Sequence, residues 1–406
     1  MSFLKQALMK ELKIERDFEV YTTYKTGFDE FDYRNGFINP ETKQQFTGLR
    51  EGSYTMVIGP SGSGKTTFVL QTVVNMAKPF KGRTIIMHYD LEGATSPARI
   101  MTTTGVTEDW LTEHYIKKDN GVYAENFYND IVAHAKLKKD NKEDLLYESD
   151  LLDDDGKPVM KYVPSFIILD SLALLMPEKN LDEEGTGSNM SAAQAAKANS
   201  SIFKKLIPIL GECNINLIVV NHVNKAIQTS MYQPNQKQVN YMKQDESVPG
   251  GNTAIYLANN LIKLNAKAAF KDDDKYKLKG FPIECTIIKS RGNRAGQSFE
   301  LLYTQEYGFN TPMSKFNMAK NAGIVEGTTY LTIPGYDKKF RNSEFIELYK
   351  DNKEFKLAFD NACKPLLESY LSGVGSGDQV KFAITDDEIN DIINKDLPEE
   401  EKKSKK

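Results

Sequence analysis

The stretch Gly59-Pro60-Ser61-Gly62-Ser63-Gly64-Lys65-Thr66-Thr67 decides how the rest of this 406-residue chain is read. Its spacing is Gly, four residues, then Gly-Lys-Thr. Glycines in a short turn let backbone N–H groups converge on phosphate oxygens, which a Cβ would obstruct. The apolar run 54–58 before it reads as a strand, and 66–77 after it reads as a helix. The loop therefore opens onto a helix N-terminus, whose free amides and partial positive charge favour an anion. Gly59 to Thr67 are accordingly the candidate cradle for the phosphates of ATP. Lys65 would reach the β- and γ-phosphates, and the Thr66 hydroxyl would ligate Mg²⁺.

Further along the chain, Phe166-Ile167-Ile168-Leu169-Asp170-Ser171 is an apolar strand ending in an aspartate. Such an Asp170 can share the Mg²⁺ with Thr66, and Ser171 can assist. The segment His88-Tyr89-Asp90-Leu91-Glu92-Gly93 ends the strand that follows the phosphate-loop helix. A carboxylate at that edge can face a γ-phosphate and orient water. Asp90 and Glu92 would share a face only on a continued strand, and a turn is expected to separate them.

Short runs rich in β-branched residues predict further strands at 83–89, 165–169, 215–220, 261–264, 284–288 and 299–303, with a helix at 192–210. Continuous apolar strands alternating with helices indicate an α/β domain with a mainly parallel sheet covered on both faces. The later, closely spaced strands fit an antiparallel extension. Three segments break the pattern. Residues 138–161 are charged and read as a surface insertion. Residues 177–191 and 223–251 are long and without apolar period, which in a compact domain marks function or disorder.

Composition excludes several classes. With 52 basic and 56 acidic residues the net charge is −4, so any nucleic-acid contact must be local and not a bulk-charge coating. No run of 18 apolar residues occurs, and the first residues lack a secretory signal's apolar core. Cys213, Cys285 and Cys363 are scattered, without zinc or disulfide spacing. A reducing cytoplasm is the expected location. Leu4, Leu8 and Leu12 recur at four-residue spacing, giving an amphipathic helix that serves either its own domain or a neighbouring subunit. Residues 328–406 read as small and α-rich, with Thr385 and Glu388 as a capping box and a charged tail at the end.

Together these motifs resemble the RecA-type DNA recombinases, and most closely the UvsX-like recombinases of bacteriophages, over residues 24–327. Thr26-Gly27-Phe28-Asp29-Glu30-Phe31-Asp32 is similar to the family's lead-in to the phosphate loop, and Asp90-Leu91-Glu92 with Pro97 and Gly105-Val106 to its catalytic-glutamate segment. The resemblance implies a RecA-like P-loop core at 36–327. It implies an N-terminal polymerisation helix and linker at 1–35 and a small C-terminal domain at 328–406. Glu92 becomes the general base, and His222, closing Ile218-Val219-Val220-Asn221-His222, the γ-phosphate sensor. Lys289 and Arg291 become a cation pair acting on ATP held by the adjacent protomer. Arg99 stands where the family usually carries an adenine-stacking tyrosine, and arginine can stack too.

The same resemblance makes 177–191 and 223–251 the two DNA-binding loops. It assigns Lys197 and Lys204 on one helix face to DNA, with Lys225, Lys237, Lys243, Tyr232 and Tyr241 and the exit Gly250-Gly251-Asn252. Cations serve the phosphates and rings the bases. The implied activity is an ATP-dependent recombinase that forms filaments on single-stranded DNA and pairs it with a homologous duplex. Its partners would be single- and double-stranded DNA and copies of itself, with room for mediator and single-strand-binding proteins. The alternative is a hexameric replicative helicase ATPase, whose core shares the lead-in, the phosphate loop and a Lys-x-Arg pair.

Overall fold

The computed structural model describes residues 3–11, 21–39, 42–153, 156–178, 189–225, 237–269 and 280–372. Tyr232, the capping box at 385–388, the charged tail, residues 12–15 of the first helix and most of 177–191 lie outside them.

Nine strands form one sheet: β1 (Tyr54–Gly59), β2 (Ile86–Asp90), β3 (Tyr115–Lys118), β4 (Ser165–Asp170), β5 (Ile215–His222), β6 (Asn260–Ala266), β7 (Gly280–Ser290), β8 (Gln297–Thr304) and β9 (Gly308–Phe309). Their order is β9-β8-β7-β6-β1-β5-β4-β2-β3. The six from β6 to β3 run parallel, and β7, β8 and β9 add antiparallel at one side. The expected α/β class and the antiparallel extension are both present. The central strands are buried on both faces, so their residues alternate between two cores. Val57, Ile168 and Val220 enter the first, and Met56, Ile167 and Val219 the second. Two-sided burial is why these strands read as continuous apolar runs.

The helices are α1 (Phe3–Glu11), α2 (Asp29–Arg34), α3 (Lys65–Ala77), α4 (Pro97–Thr104), α5 (Glu108–His114), α6 (Ala124–Asp140), α7 (Asn189–Cys213), α8 (Asn252–Leu257), α9 (Thr311–Asn321), α10 (Phe345–Asp351) and α11 (Lys353–Glu368). Local chemistry sets several ends. The Ser96 side chain caps α4 by accepting from Arg99 N, Pro97 fills its first turn, and Gly105 closes it with φ +68°. α3 carries Phe68, Val69, Val73 and Val74 into the first core, and α6 and α7 carry Phe127, Ile131, Phe203 and Leu206 into the second.

One expectation is corrected. The charged stretch 138–161 is not a plain surface insertion. Lys138, in the last turn of α6, is fully buried, with its Nζ donating to Val163 O and Ser165 Oγ. After it, strands Leu146–Leu152 and Pro158–Tyr162 pair as a hairpin whose Leu151 and Val159 pack on Phe46. Residues 328–372 belong to the compact unit Met1–Ser372. In it Leu302, Met313 and Phe316 share a core with Phe340, Phe345, Phe355 and Phe359. Lys315 of α9 also bridges Asp29 of α2 and Asp360 of α11, at 2.8 and 2.7 Å.

Candidate nucleotide and DNA site

The phosphate loop lies where β1 ends between β5 and β6, at the C-terminal edge of the parallel strands. Open α/β sheets bind ligands at such edges. Gly62 and Gly64 have φ of +74° and +78°, a conformation L side chains rarely adopt. A Cβ on Gly59 would collide with the Leu264 carbonyl and come within 2.6 Å of Ser63 Oγ. The loop is preshaped from within: Ser63 Oγ and Lys65 Nζ each donate to Pro60 O at 2.8 Å. Pro60, Ser61 and Gly62 are exposed at its tip, and Thr67 is buried beneath β9. Burial pushes the Lys65 ammonium below its ordinary pKa, against the pull of Glu92 and Asp170.

Thr66 Oγ1 donates to Asp170 Oδ2 at 2.6 Å. Asp170 Oδ1 is buried with no hydrogen-bond partner, as is Ser171 Oγ. Burial raises the Asp170 carboxyl to about 6, Thr66 opposes this, and the Glu92 and Asp90 charges add to it. An orphaned carboxylate oxygen beside a hydroxyl, both hard oxygen ligands, fits a Mg²⁺ that keeps most of its water. Thr66 and Asp170 would hold it. The buried Lys65 and the open, glycine-lined loop fit the triphosphate.

Glu92 sits in the turn after β2, held by its own N–H and that of Leu91 donating to Asp170 O. The turn does separate it from Asp90. His222 Nε2 donates to Glu92 Oε1 at 2.7 Å, so the candidate base and the candidate sensor meet. The strand order puts β5 and β2 on either side of β4, which local sequence patterns do not reveal. Asp90 is turned inward: it accepts from Thr95 N and Ala94 N and lies 3.0 Å from Lys117 Nζ.

Arg99 is engaged by protein. Its Nη1 donates to Gln305 O and Glu306 O, and its Nη2 to Tyr303 OH. These bonds fix it against the turn between β8 and β9, near the start of α3. Lys289 and Arg291 lie at the opposite edge of the sheet. Ser290 pairs with Asn260, which pairs with Thr55, four residues before Gly59. At about 3.3 Å per residue that places the cations roughly 13 Å or more from their own phosphate loop. Lys289 Nζ donates to Tyr256 O and Arg291 N to Asn259 O.

Lys197 and Lys204 are both exposed on α7. The strands Asn224–Lys225 and Glu246–Ser247 pair to close the base of the second loop, and Lys225, Lys237 and Lys243 are exposed around it. Tyr241 is 59% exposed, with one edge over Gly296, where a Cβ would approach it to 2.5 Å. Gly250 and Gly251 adopt φ of +92° and +94°. Asn221 Nδ2 donates to Pro249 O at 2.7 Å, and Asn252 Oδ1 accepts from Gln238 Nε2 at 2.7 Å. Sequence reading passed over Asn221, Gln238 and Lys117. The neighbouring His222 was a signal for the first, and nothing local marked the other two.

A glycine-rich loop opening a helix at a parallel sheet edge, with a hydroxyl–carboxylate pair beside it, defines a P-loop ATPase on a RecA-like α/β core. Residues 35–228 match the family model described as an AAA domain. The chain is 25% identical over 279 residues to Protein RecA of Wigglesworthia glossinidia brevipalpis, covering 69% of this chain and 70% of that protein. It is 23% identical over 335 residues to Protein RecA of Bifidobacterium breve, covering 82% and 72%. Among solved structures, that of the RadB recombinase aligns over 65% of this chain and 92% of its own, at 20% identity and a TM-score of 0.39. In sequence the chain is thus similar to Protein RecA of several bacteria. Among the described residues no helix is long and apolar enough to cross a membrane.

Proposed function

We propose that this protein is a DNA-dependent ATPase of the UvsX-like recombinase kind. It forms filaments on single-stranded DNA and promotes homologous pairing and strand exchange. The observation that carries the reading is a pair of adjacent residues. His222 bonds the candidate base Glu92, and Asn221 bonds Pro249 at the exit of the candidate DNA loop. One strand end thus touches both the nucleotide edge and the DNA segment, which is what coupling hydrolysis to DNA needs.

Lys65 and the loop amides bind the β- and γ-phosphates, and Glu92 accepts the proton of the attacking water. Mg²⁺ held by Thr66 and Asp170 supplies charge neutralisation. A γ-phosphate competes with Glu92 for the His222 imidazole, so nucleotide binding frees the base and pulls on Asn221. Lys289 and Arg291 are too far from their own phosphate loop to help, so they serve a neighbour's site as arginine fingers do. ATP then sits between protomers, and α1, with Leu4 and Leu8 exposed, is a contact for the adjacent copy. The exposed lysines of α7 and of the loop base bind phosphates, while base pairing supplies sequence selectivity.

Glu92→Gln tests this. The variant should still form ATP-dependent helical filaments on single-stranded DNA in electron micrographs, with turnover lowered about 100-fold or more. Unchanged turnover removes Glu92 from its role. Closed rings in place of filaments would favour the hexameric helicase.

A further inference from the structure

Behind the catalytic turn lies a polar cluster that the proposed mechanism does not use. β3 is one of the sheet's two edge strands, and its Lys117 lies opposite His88 of β2. Lys117 Nζ is 3.0 Å from Asp90 Oδ2 and donates to Thr95 O at 2.9 Å. The Asp90 side chain is fully buried, and both its oxygens are taken: Oδ1 by Ala94 N at 3.3 Å, Oδ2 by Thr95 N at 3.0 Å. Gly93 N returns to Asp90 O at 3.3 Å. The chain from 90 to 95 is therefore a closed turn. Lys117 ties its first residue, through a carboxylate, to its last, through a carbonyl. Glu92 stands in the middle, and its side chain bonds His222 while Lys117 bonds Asp90, Thr95 and Asp119.

We infer that Lys117 is a positioning residue for ATP hydrolysis, clamping residues 90–95 so that the Glu92 carboxylate is held at the phosphate edge. The inference rests on the reading of Glu92 as the base. A buried carboxylate needs a charged or hydrogen-bonding partner. Here the turn supplies only neutral backbone N–H groups, and the charged partner comes from an edge strand. Lys117 is a quarter exposed at its side chain, so its replacement leaves no new charge in the core beyond Asp90. Asp119 Oδ2, at 3.3 Å from Nζ, holds the ammonium over the turn from the solvent side. The phosphate cradle does not depend on this clamp. Loosening the turn therefore misplaces the base without weakening nucleotide binding, and a misplacement of about 1 Å can cost roughly 100-fold in rate.

The test uses the full-length protein with ATP and single-stranded DNA. Lys117→Met should lower kcat about 10- to 100-fold, with the KM for ATP within about threefold of wild type. Lys117→Gln keeps one donor for Asp90 but cannot bridge both ends, so it should fall between. In a Glu92→Gln background Lys117→Met should change turnover by less than about twofold, because the group it positions is already gone. An unchanged kcat in Lys117→Met would overturn the inference. So would a KM raised in step with the loss of kcat, or a full additional loss in the Glu92→Gln background. If Glu92→Gln alone keeps wild-type turnover, it is the reading of the base that fails. If Lys117→Met does not fold, Lys117→Gln carries the same comparison.

Discussion

At the scale of single residues, the phosphate loop tolerates little. A Cβ at Gly59 meets the Leu264 carbonyl and Ser63 Oγ, so Gly59→Ala should fold with a displaced loop and bind ATP at least about tenfold more weakly in calorimetric titration. Lys65→Ala removes the buried ammonium, and ATP-dependent filaments should vanish from micrographs; normal filaments would sink the assignment. Asp32 gives a pH signature. It is fully buried and accepts from Thr26 N and Oγ1. Burial raises its carboxyl from 3.8 to about 7, with Thr26 opposing. The folded state therefore binds this proton more tightly than the unfolded chain. The stability it contributes is complete below about pH 4 and is lost as pH rises through about 7. Urea midpoints at pH 5 and pH 8 should differ more for wild type than for Asp32→Asn. An equal difference in the two proteins would contradict that account.

At the scale of elements, strands buried on both faces announced themselves by continuous apolar runs, and 54–59, 165–170 and 215–222 are close to their expected limits. The strand expected from 83 begins only at Ile86, because Arg83 is still in the turn its N–H closes by donating to Phe80 O. The hairpin inside 138–161 was hidden because its few inward side chains are scattered among charges and its register shifts midway. α7 exposes Lys197 and Lys204 seven residues apart. Replacing both with Ala should flatten the salt dependence of single-stranded DNA binding, by about 0.7 in log–log slope for each phosphate no longer neutralised. An unchanged slope would take α7 out of the DNA interface. Phe355, fully buried against Phe340 and Phe345, joins α11 to the rest. Phe355→Ala should cost about 3–5 kcal/mol in denaturant unfolding.

At the scale of the whole molecule, the antiparallel β7 returns Lys289 and Arg291 to the end of the sheet remote from their own phosphate loop. In the proposed head-to-tail assembly each loop would receive the next protomer's cations. Arg291→Ala and Glu92→Gln should each be nearly inactive alone. Mixed in equal amounts, they should regain roughly a quarter of wild-type turnover, the share of head-to-tail interfaces that pair two intact halves at random. No recovery on mixing would place hydrolysis within single protomers. The net charge of −4 fits this arrangement, since the candidate DNA contacts are a few exposed lysines on α7 and at the loop base.

Features that short-range chemistry can encode were legible in the chain directly. The Gly-Pro-Ser-Gly-Ser-Gly-Lys-Thr-Thr loop, the strand ending at Asp170 and the two-sided apolar strands each need only neighbours in the chain. The motifs anticipated that Thr66 and Asp170 would meet, but the direct contacts between other distant segments came from the folded molecule. Glu92 and His222 meet across 130 residues because strand order puts β5 and β2 on either side of β4. Lys117 reaches Asp90 because β3 happens to be the edge beside β2. Lys289 and Arg291 lie at the far end of the sheet from their own loop because β7 runs backwards. Strand order and direction are set by which apolar faces bury best together, a property of the whole sheet that no single segment carries.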